Sequence, residues 1–207
     1  MTIRKAFTIF AAGLILLFSA AVLAQTDDDA AKTSNWFGGP TYDGEPALEV
    51  TAALVEAGGG ADSFSFSDAL VSMLGQETVD GEIAKLTEQY DEDSVGDFVE
   101  GMTLAVNVGL KRATEAGVEL PSAPADLTGT KLAETLVTAG TTDDGTWWAG
   151  YLFDKALSHG IHNQVMADIE AEHGRAYDEN IHRLLNQAMY DVAQALGHDE
   201  VKLAPLH

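Results

Sequence analysis

All six histidines of this 207-residue chain lie after residue 158, and their spacing suggests a ligand-binding site. His162 and His173 share one face of a predicted helix with the apolar residues between them. His182 begins the apolar stripe of the next predicted helix. A helical hairpin turning near residues 174–178 would bring His173 and His182 together on facing helices. Neutral imidazoles placed this way can bind haem or a single iron, zinc or copper ion.

A glutamate lies three residues before two of these histidines, at Glu170 and Glu179. The Glu-x-x-His pattern puts a carboxylate and an imidazole one turn apart on the same face, and pairs of such motifs hold two metal ions in helical bundles. Those bundles also use an inward glutamate from each of two other helices, and the candidates here, Glu134 and Asp154, do not stand out in so acidic a chain. A site for one metal ion or a haem therefore fits better. Its candidate metal-binding residues are His162, His173, His182, Glu170 and Glu179.

Aromatic and methionine side chains near the histidines could form the apolar wall of a cofactor site. The candidates are Trp147, Trp148, Tyr151, Met166 and Met189. If Trp147 and Trp148 are neighbours on a helix, their side chains point about 100° apart, so both cannot be buried on one face. One ring should then face a groove, a ligand or another part of the protein. Packing inside the core is the alternative explanation for the cluster.

The histidines have a second interpretation, in which they are core or boundary residues hydrogen-bonded to nearby glutamates and bind no ligand. The sequence contains no GxSxG elbow, phosphate loop, dinucleotide glycine pattern or HExxH. It therefore gives no support to a hydrolase or a nucleotide-dependent enzyme, and whether the protein is an enzyme stays open.

Helical periodicity runs along the chain, and strand patterns are absent. The sequence predicts a first helical unit over residues 43–120, a proline-rich linker over 121–126 and a second helical unit over 127–207. Residues 51–58 align with residues 133–140, and the order of helices repeats after them. We therefore predict an all-α helical bundle built from two similar four-helix units by tandem duplication. The sequence does not decide whether these units form separate bundles or one core.

The N-terminus has the pattern of a secretory signal peptide over residues 1–24. Arg4 and Lys5 precede an apolar run, and Val22-Leu23-Ala24 supplies the small residues of a cleavage site. Residues 25–42 form a flexible, acidic leader in this prediction. The predicted location is periplasmic or secreted.

The net charge of −22 disfavours nucleic acid and anionic membrane surfaces as partners. The chain has no cysteine, which excludes disulfides, thiolate metal sites and covalent haem attachment. We therefore expect an exported helical protein that holds a metal ion, a haem or another cationic ligand through histidines of the second unit. The alternative is a cofactor-free interaction or structural protein that uses its acidic surface and aromatic turn. The oligomeric state stays open.

Overall fold

The computed structural model describes residues 39–205, and the helices within this range confirm the predicted all-α class. The helices are α1 (Leu48–Ala57), α2 (Phe66–Leu74), α3 (Gln76–Gln89), α4 (Glu92–Glu115), α5 (Gly129–Gly140), α6 (Ala149–Leu157), α7 (His159–His173) and α8 (Arg175–Ala195). Two short strands, β1 (Thr146–Trp147) and β2 (Lys202–Leu203), pair in parallel. The predicted signal peptide and most of the predicted leader lie outside the described residues.

Helix starts follow the capping chemistry of the sequence. The Ser65 side chain accepts a hydrogen bond from the backbone N–H of Asp68 at 3.2 Å, which caps α2. The Asp91 carboxylate accepts one from the N–H of Ser94 at 2.7 Å, which caps α4. Acidic residues in the first turn of α4 also favour this end of the helix, where the helix dipole is positive.

Trp147 and Trp148 are not neighbours on a helix, so the expectation that their side chains point about 100° apart was wrong. Trp147 belongs to β1, and Trp148 has extended backbone and immediately precedes α6. Successive side chains on extended backbone point to opposite sides. Trp147 is therefore completely buried, whereas Trp148 is half-buried.

One hydrophobic core joins the N-terminal helices α1–α4 to the C-terminal helices α5–α8. Helix α4 packs along both α7 and α8, and α5 packs against α2 and α6. Phe98 and Leu86 from the N-terminal helices share this core with Ile169 and Leu184 from the C-terminal helices. The helices on the two sides of residues 121–126 therefore form a single core, which answers the question that the sequence left open. Their origin by duplication stays a prediction.

Two sharp turns set the path of the last three helices. Ser158 separates α6 from α7, and Gly174 separates α7 from α8, which confirms the predicted turn after His173. Both residues have positive φ angles, 96° at Ser158 and 88° at Gly174. Helix α7 packs against both of its neighbours. Within residues 39–205, none of the helices has the length and apolar character needed to cross a bilayer.

Candidate metal centre

The carboxylate of Asp154 is the centre of a polar cluster at the junction of α6 and α7. Asp154 is 2% exposed, and its Oδ1 lies 3.0 Å from Nδ1 of His159 and 2.6 Å from Nδ1 of His162. Its Oδ2 accepts the backbone N–H of Tyr42 at 3.0 Å. Both carboxylate oxygens are thus engaged, and two imidazoles converge on one of them.

The turn at Ser158 brings these three side chains together. Asp154 lies in the last turn of α6, and His159 and His162 lie in the first turn of α7. Ser158 has a φ of 96° and a ψ of 151°, a conformation that favours glycine and strains a residue with a side chain. Its hydroxyl accepts the N–H of Ile161 at 3.5 Å and so caps α7. The chain therefore reverses sharply enough for the end of α6 to face the start of α7.

The three residues have the composition and spacing of a metal-binding group. Asp154, His159 and His162 each offer one ligand atom, and these atoms lie within 4.8 Å of one another. Ligand atoms held at about 2.1 Å from one zinc or iron ion lie about 3 to 3.4 Å apart. The observed 2.6 Å and 3.0 Å contacts are close to that separation, so an ion could replace the two bridging protons after small side-chain movements. Two imidazoles and one carboxylate suit divalent iron, zinc or copper.

The ionisation states of the cluster favour metal binding. Burial acts to raise the pKa of Asp154, but hydrogen bonds from His162, Tyr42 and His159 outweigh it, and the pKa lies below its ordinary value. Burial is the main cause of the lowered pKa of His162, and it exceeds the opposing effect of the hydrogen bond to Asp154. His162 is therefore neutral near pH 7 and Asp154 is charged. These are the forms that bind metal ions.

A charged carboxylate only accepts hydrogen bonds, so both histidines donate Nδ1–H to Asp154. The Nε2 atom of His159 then accepts from the side-chain amide of Asn163 at 3.0 Å. The side chain of His159 is 24% exposed, whereas that of His162 is 11% exposed. His159 thus forms the solvent-facing edge of the cluster, and an ion can enter from that edge.

Two further aromatic rings pack against His162 on its inner side. The ring centroids of His162 and His182 are 5.9 Å apart, and Phe153 lies 5.2 Å from His162 and 5.7 Å from His182. His182 donates Nδ1–H to the backbone carbonyl of Asp178 at 3.1 Å. These contacts fix the orientation of the His162 ring, as the surroundings of a metal-binding histidine must.

The structure brings His162 and His182 together, but it places the other sequence-predicted ligands elsewhere. His173 ends α7, where its ring stacks on Tyr177 with centroids 4.7 Å apart. Its nearest acidic contact is Glu172, at 4.0 Å. Glu179 is exposed and forms an ion pair with Arg175 at 2.7 Å. Glu170 is half-buried, and its backbone carbonyl accepts the N–H of Gly174. The expected pairing of His173 with His182 is therefore replaced by the pairing of His162 with His182.

The sequence-predicted cofactor residues are spread over several environments. The Trp147 ring is in the core, where its Nε1 donates to the carbonyl of Leu136 at 3.4 Å. Tyr151 packs edge-on against Tyr42, and the Nζ of Lys155 lies 4.4 Å from the centre of its ring. The other three predicted cofactor residues lie in three different places. Trp148 covers the backbone of Gly39, Met166 is a core residue, and Met189 lines an apolar cavity.

Sequence reasoning missed the importance of Asp154 and His159. Asp154 was weighed only as a partner in a two-metal site, and His159 only as a helix-boundary residue. The available signal was the spacing Asp-x4-His-x2-His, which spans the break at Ser158 between two helices. Such a break does not reveal its backbone angles, and these angles bring the carboxylate onto the two imidazoles.

The fold and the cluster define this chain as an all-α protein with a buried two-histidine, one-aspartate group at a helix junction. No protein-family model matches the chain, and no curated protein or solved structure matches it either. The function is therefore argued from the geometry of the cluster.

Proposed function

We propose that this protein binds a divalent transition-metal ion through Asp154, His159 and His162. The observation that carries the proposal is the convergence of two imidazole nitrogens on one buried carboxylate oxygen, at 3.0 Å and 2.6 Å. A buried aspartate is costly unless it is paired, and pairing with two titratable rings is an arrangement that a metal ion can take over.

Zinc, iron(II) and copper(II) are the ions that this group suits best. Magnesium and calcium prefer sites built only from oxygen atoms, whereas imidazole nitrogen favours these transition metals. Three protein ligands also leave at least one position for water or another small ligand. The proposal is therefore for a binding or carrier site with an open position, and enzymatic activity is not part of it.

A haem is left out of the proposal because the apolar cavity beside Phe153 is too small to hold one. The apolar cavity on the other side of Phe153 has a volume of about 70 Å³. Pockets that hold drug-sized ligands and cofactors measure roughly 300–1,000 Å³. A haem would need the core helices to separate.

Export to the periplasm or to the outside of the cell is the second part of the proposal. It is supported by the signal-peptide pattern of residues 1–24. We expect cell fractionation to recover the protein outside the cytoplasm, and N-terminal sequencing to find Gln25 as the first residue. Recovery in the cytoplasm with residue 1 intact would contradict export and would leave the metal proposal unchanged.

Isothermal titration calorimetry with zinc tests the metal site. The protein is freed of metal by a chelator and compared with His159→Ala, His162→Gln and the control His198→Ala. We expect one zinc ion per wild-type chain and a loss of affinity of at least about 100-fold in the first two variants, because even removing a group behind a ligand costs 10–100-fold. The control should bind as the wild type does, because His198 lies outside the cluster, 3.5 Å from Glu200.

Two results would overturn the metal proposal. One is a folded wild-type protein that takes up no zinc, iron or copper in stoichiometric amount. The other is equal loss of affinity in all three variants, which would indicate non-specific binding by surface histidines. Either result would favour the alternative, an exported interaction or structural protein without a cofactor. Circular dichroism shows whether each variant is folded, and His159→Ala is the safer variant because His159 is partly exposed.

A further inference from the structure

An apolar cavity of about 70 Å³ lies between the N-terminal and C-terminal helices. Its walls come from α1, α2, α4, α5, α6 and α8, and two polar residues, Thr51 and Lys155, are among them. The hydroxyl of Thr51 donates to the carbonyl of Ala156 at 2.7 Å, and the Nζ of Lys155 lies over the ring of Tyr151. The polar atoms of both residues are thus engaged elsewhere, and the cavity presents an apolar surface.

Such a cavity favours an apolar molecule over water. A buried water needs two to four polar partners, which these walls do not supply. Protein interiors are otherwise close-packed, so atoms around a void lose dispersion contacts that a fitting apolar molecule would restore. An apolar cavity of about 150 Å³ binds benzene or xenon. The present cavity is about half that size, which suits a ligand of a few heavy atoms.

The cavity also has a route to the surface. Several of the side chains that line it are only half-buried, among them Leu54, Leu70, Val106 and Leu110. These residues come from α1, α2 and α4. Side chains at the protein surface change rotamer on the picosecond to nanosecond scale. A small molecule can therefore enter between these helices without unfolding of the core.

We propose that this cavity is a binding site for a small, uncharged apolar molecule. Phe153 lines the cavity and also packs on His162 at 5.2 Å between ring centroids, so a molecule bound there lies one ring away from the candidate metal centre. The inference goes beyond metal binding and does not depend on it. It is tested on the metal-free protein, so that the two proposals fail separately.

Methionine methyl NMR with xenon as the probe tests the cavity directly. Met73, Met102 and Met189 line it, whereas Met166 is buried in the core outside it. The full chain is labelled with ¹³C at the methionine methyl groups and equilibrated with increasing xenon pressure. We expect saturable shifts of the three lining methyl signals and no saturable shift of Met166. Formamide, a small polar molecule, should shift none of them saturably.

A cavity-filling substitution supplies the second arm. Ala139 lines the cavity, and Ala139→Leu should fill it and weaken xenon binding at least tenfold. Ala171 is exposed on α7, and Ala171→Leu is the control that should bind as the wild type does. The proposal is overturned if the wild type shows no saturable shift, if Met166 shifts as much as the lining methyls, or if folded Ala139→Leu binds xenon unchanged.

Discussion

The N-terminal helices α1–α4 and the C-terminal helices α5–α8 follow the same plan of two shorter helices and then two longer ones, but their interiors differ. Within residues 39–205, Thr51 is the buried polar residue of α1–α4. The C-terminal region, from β1 to the end of α8, buries seven: Thr146, Asp154, Asp178, Asn180, His182, Asn186 and Asp191. Three of these are aspartates. The two regions therefore share a helical plan, while only one of them carries ionisable groups in its core.

Stability alone does not favour the buried acids that make this difference. Burying a carboxylate costs free energy, and removing the charge in favour of packed apolar side chains is often neutral or stabilising. The N-terminal helices show that this plan can be built with an apolar interior. The burial of Asp154 among the C-terminal helices is therefore consistent with the metal site proposed there.

The largest expected effect is that of Asp154→Ala. This substitution leaves His159, His162 and the N–H of Tyr42 without their shared acceptor. We expect a loss of about 2–4 kcal/mol in the free energy of unfolding, measured by urea denaturation, because buried partners of a charged group are left unsatisfied. Zinc binding should be lost as well. The control is Asp62→Ala, on an exposed turn, which should change stability by less than about 0.5 kcal/mol. Equal effects in the two variants would remove the energetic distinction between the buried and exposed acids.

Gly75→Ala tests the turn between α2 and α3, whose backbone angles are similar to those at Ser158. Gly75 has a φ of 81° and a ψ of 152°, and a Cβ added there would meet no atom within 4 Å. Alanine at this position should therefore lower the free energy of unfolding by about 1–2 kcal/mol, because only the backbone conformation is strained. Thermal or urea unfolding measures this change. Gly81→Ala is the matched control, because its Cβ also meets nothing but the residue lies inside α3. It should stabilise the protein by about 0.5–1 kcal/mol. A stabilising Gly75→Ala would show that the turn is not strained.

The pH dependence of stability comes next in size. Burial lowers the pKa of folded His162 below the 6.5 of a free side chain, so in the interval between these values the unfolded chain binds more protons. The contribution of neutral His162 to the free energy of unfolding is complete above pH 6.5. It is lost as the pH falls toward the pKa of His162 in the folded protein. One such group changes the free energy of unfolding by at most about 1.4 kcal/mol per pH unit. We expect His162→Gln to flatten the slope measured by urea denaturation between pH 7.5 and 5.5. An unchanged slope in this variant would contradict the lowered pKa of His162.

Ser158→Gly is expected to give the smallest change, and it is stabilising. Glycine adopts the φ of 96° at this turn without strain, but the variant also loses the cap to Ile161, which costs only a few tenths of a kcal/mol. The net gain should be about 0.5–1 kcal/mol in thermal unfolding. Zinc affinity of this variant shows whether Ser158 contributes to the metal site as well as to stability. If the variant is destabilised by more than 1 kcal/mol, the turn owes more to the serine hydroxyl than to its backbone angles.

The sequence was sufficient to predict much of the fold. Apolar residues at helical spacing predicted the all-α class, and the turn expected near residues 174–178 lies at Gly174. The placement of Trp147 and Trp148 together on a helix was wrong, because Trp147 pairs through its backbone with Leu203, more than fifty residues away. Periodicity carries no information about such a long-range pairing.

The candidate site was predicted only in part. His162 lies on the inner face as its spacing indicated, but a one-residue turn brings Asp154 and His159 to it. His173 fits the same stripe and yet stacks on Tyr177, because the helix ends there and its last turn is exposed. Helical spacing identifies a face of a helix, whereas distance from the helix end decides how deep a side chain lies.

Histidine ¹⁵N NMR of the metal-free protein, before and after one equivalent of zinc, is the most direct test of metal binding by Asp154, His159 and His162. We predict that the Nδ1 signals of His159 and His162 move to the positions of metal-bound nitrogen, while the signals of His173 and His198 stay in place. Unchanged His159 and His162 signals after one equivalent of zinc would contradict metal binding at this cluster, whether or not His173 or His182 responds instead.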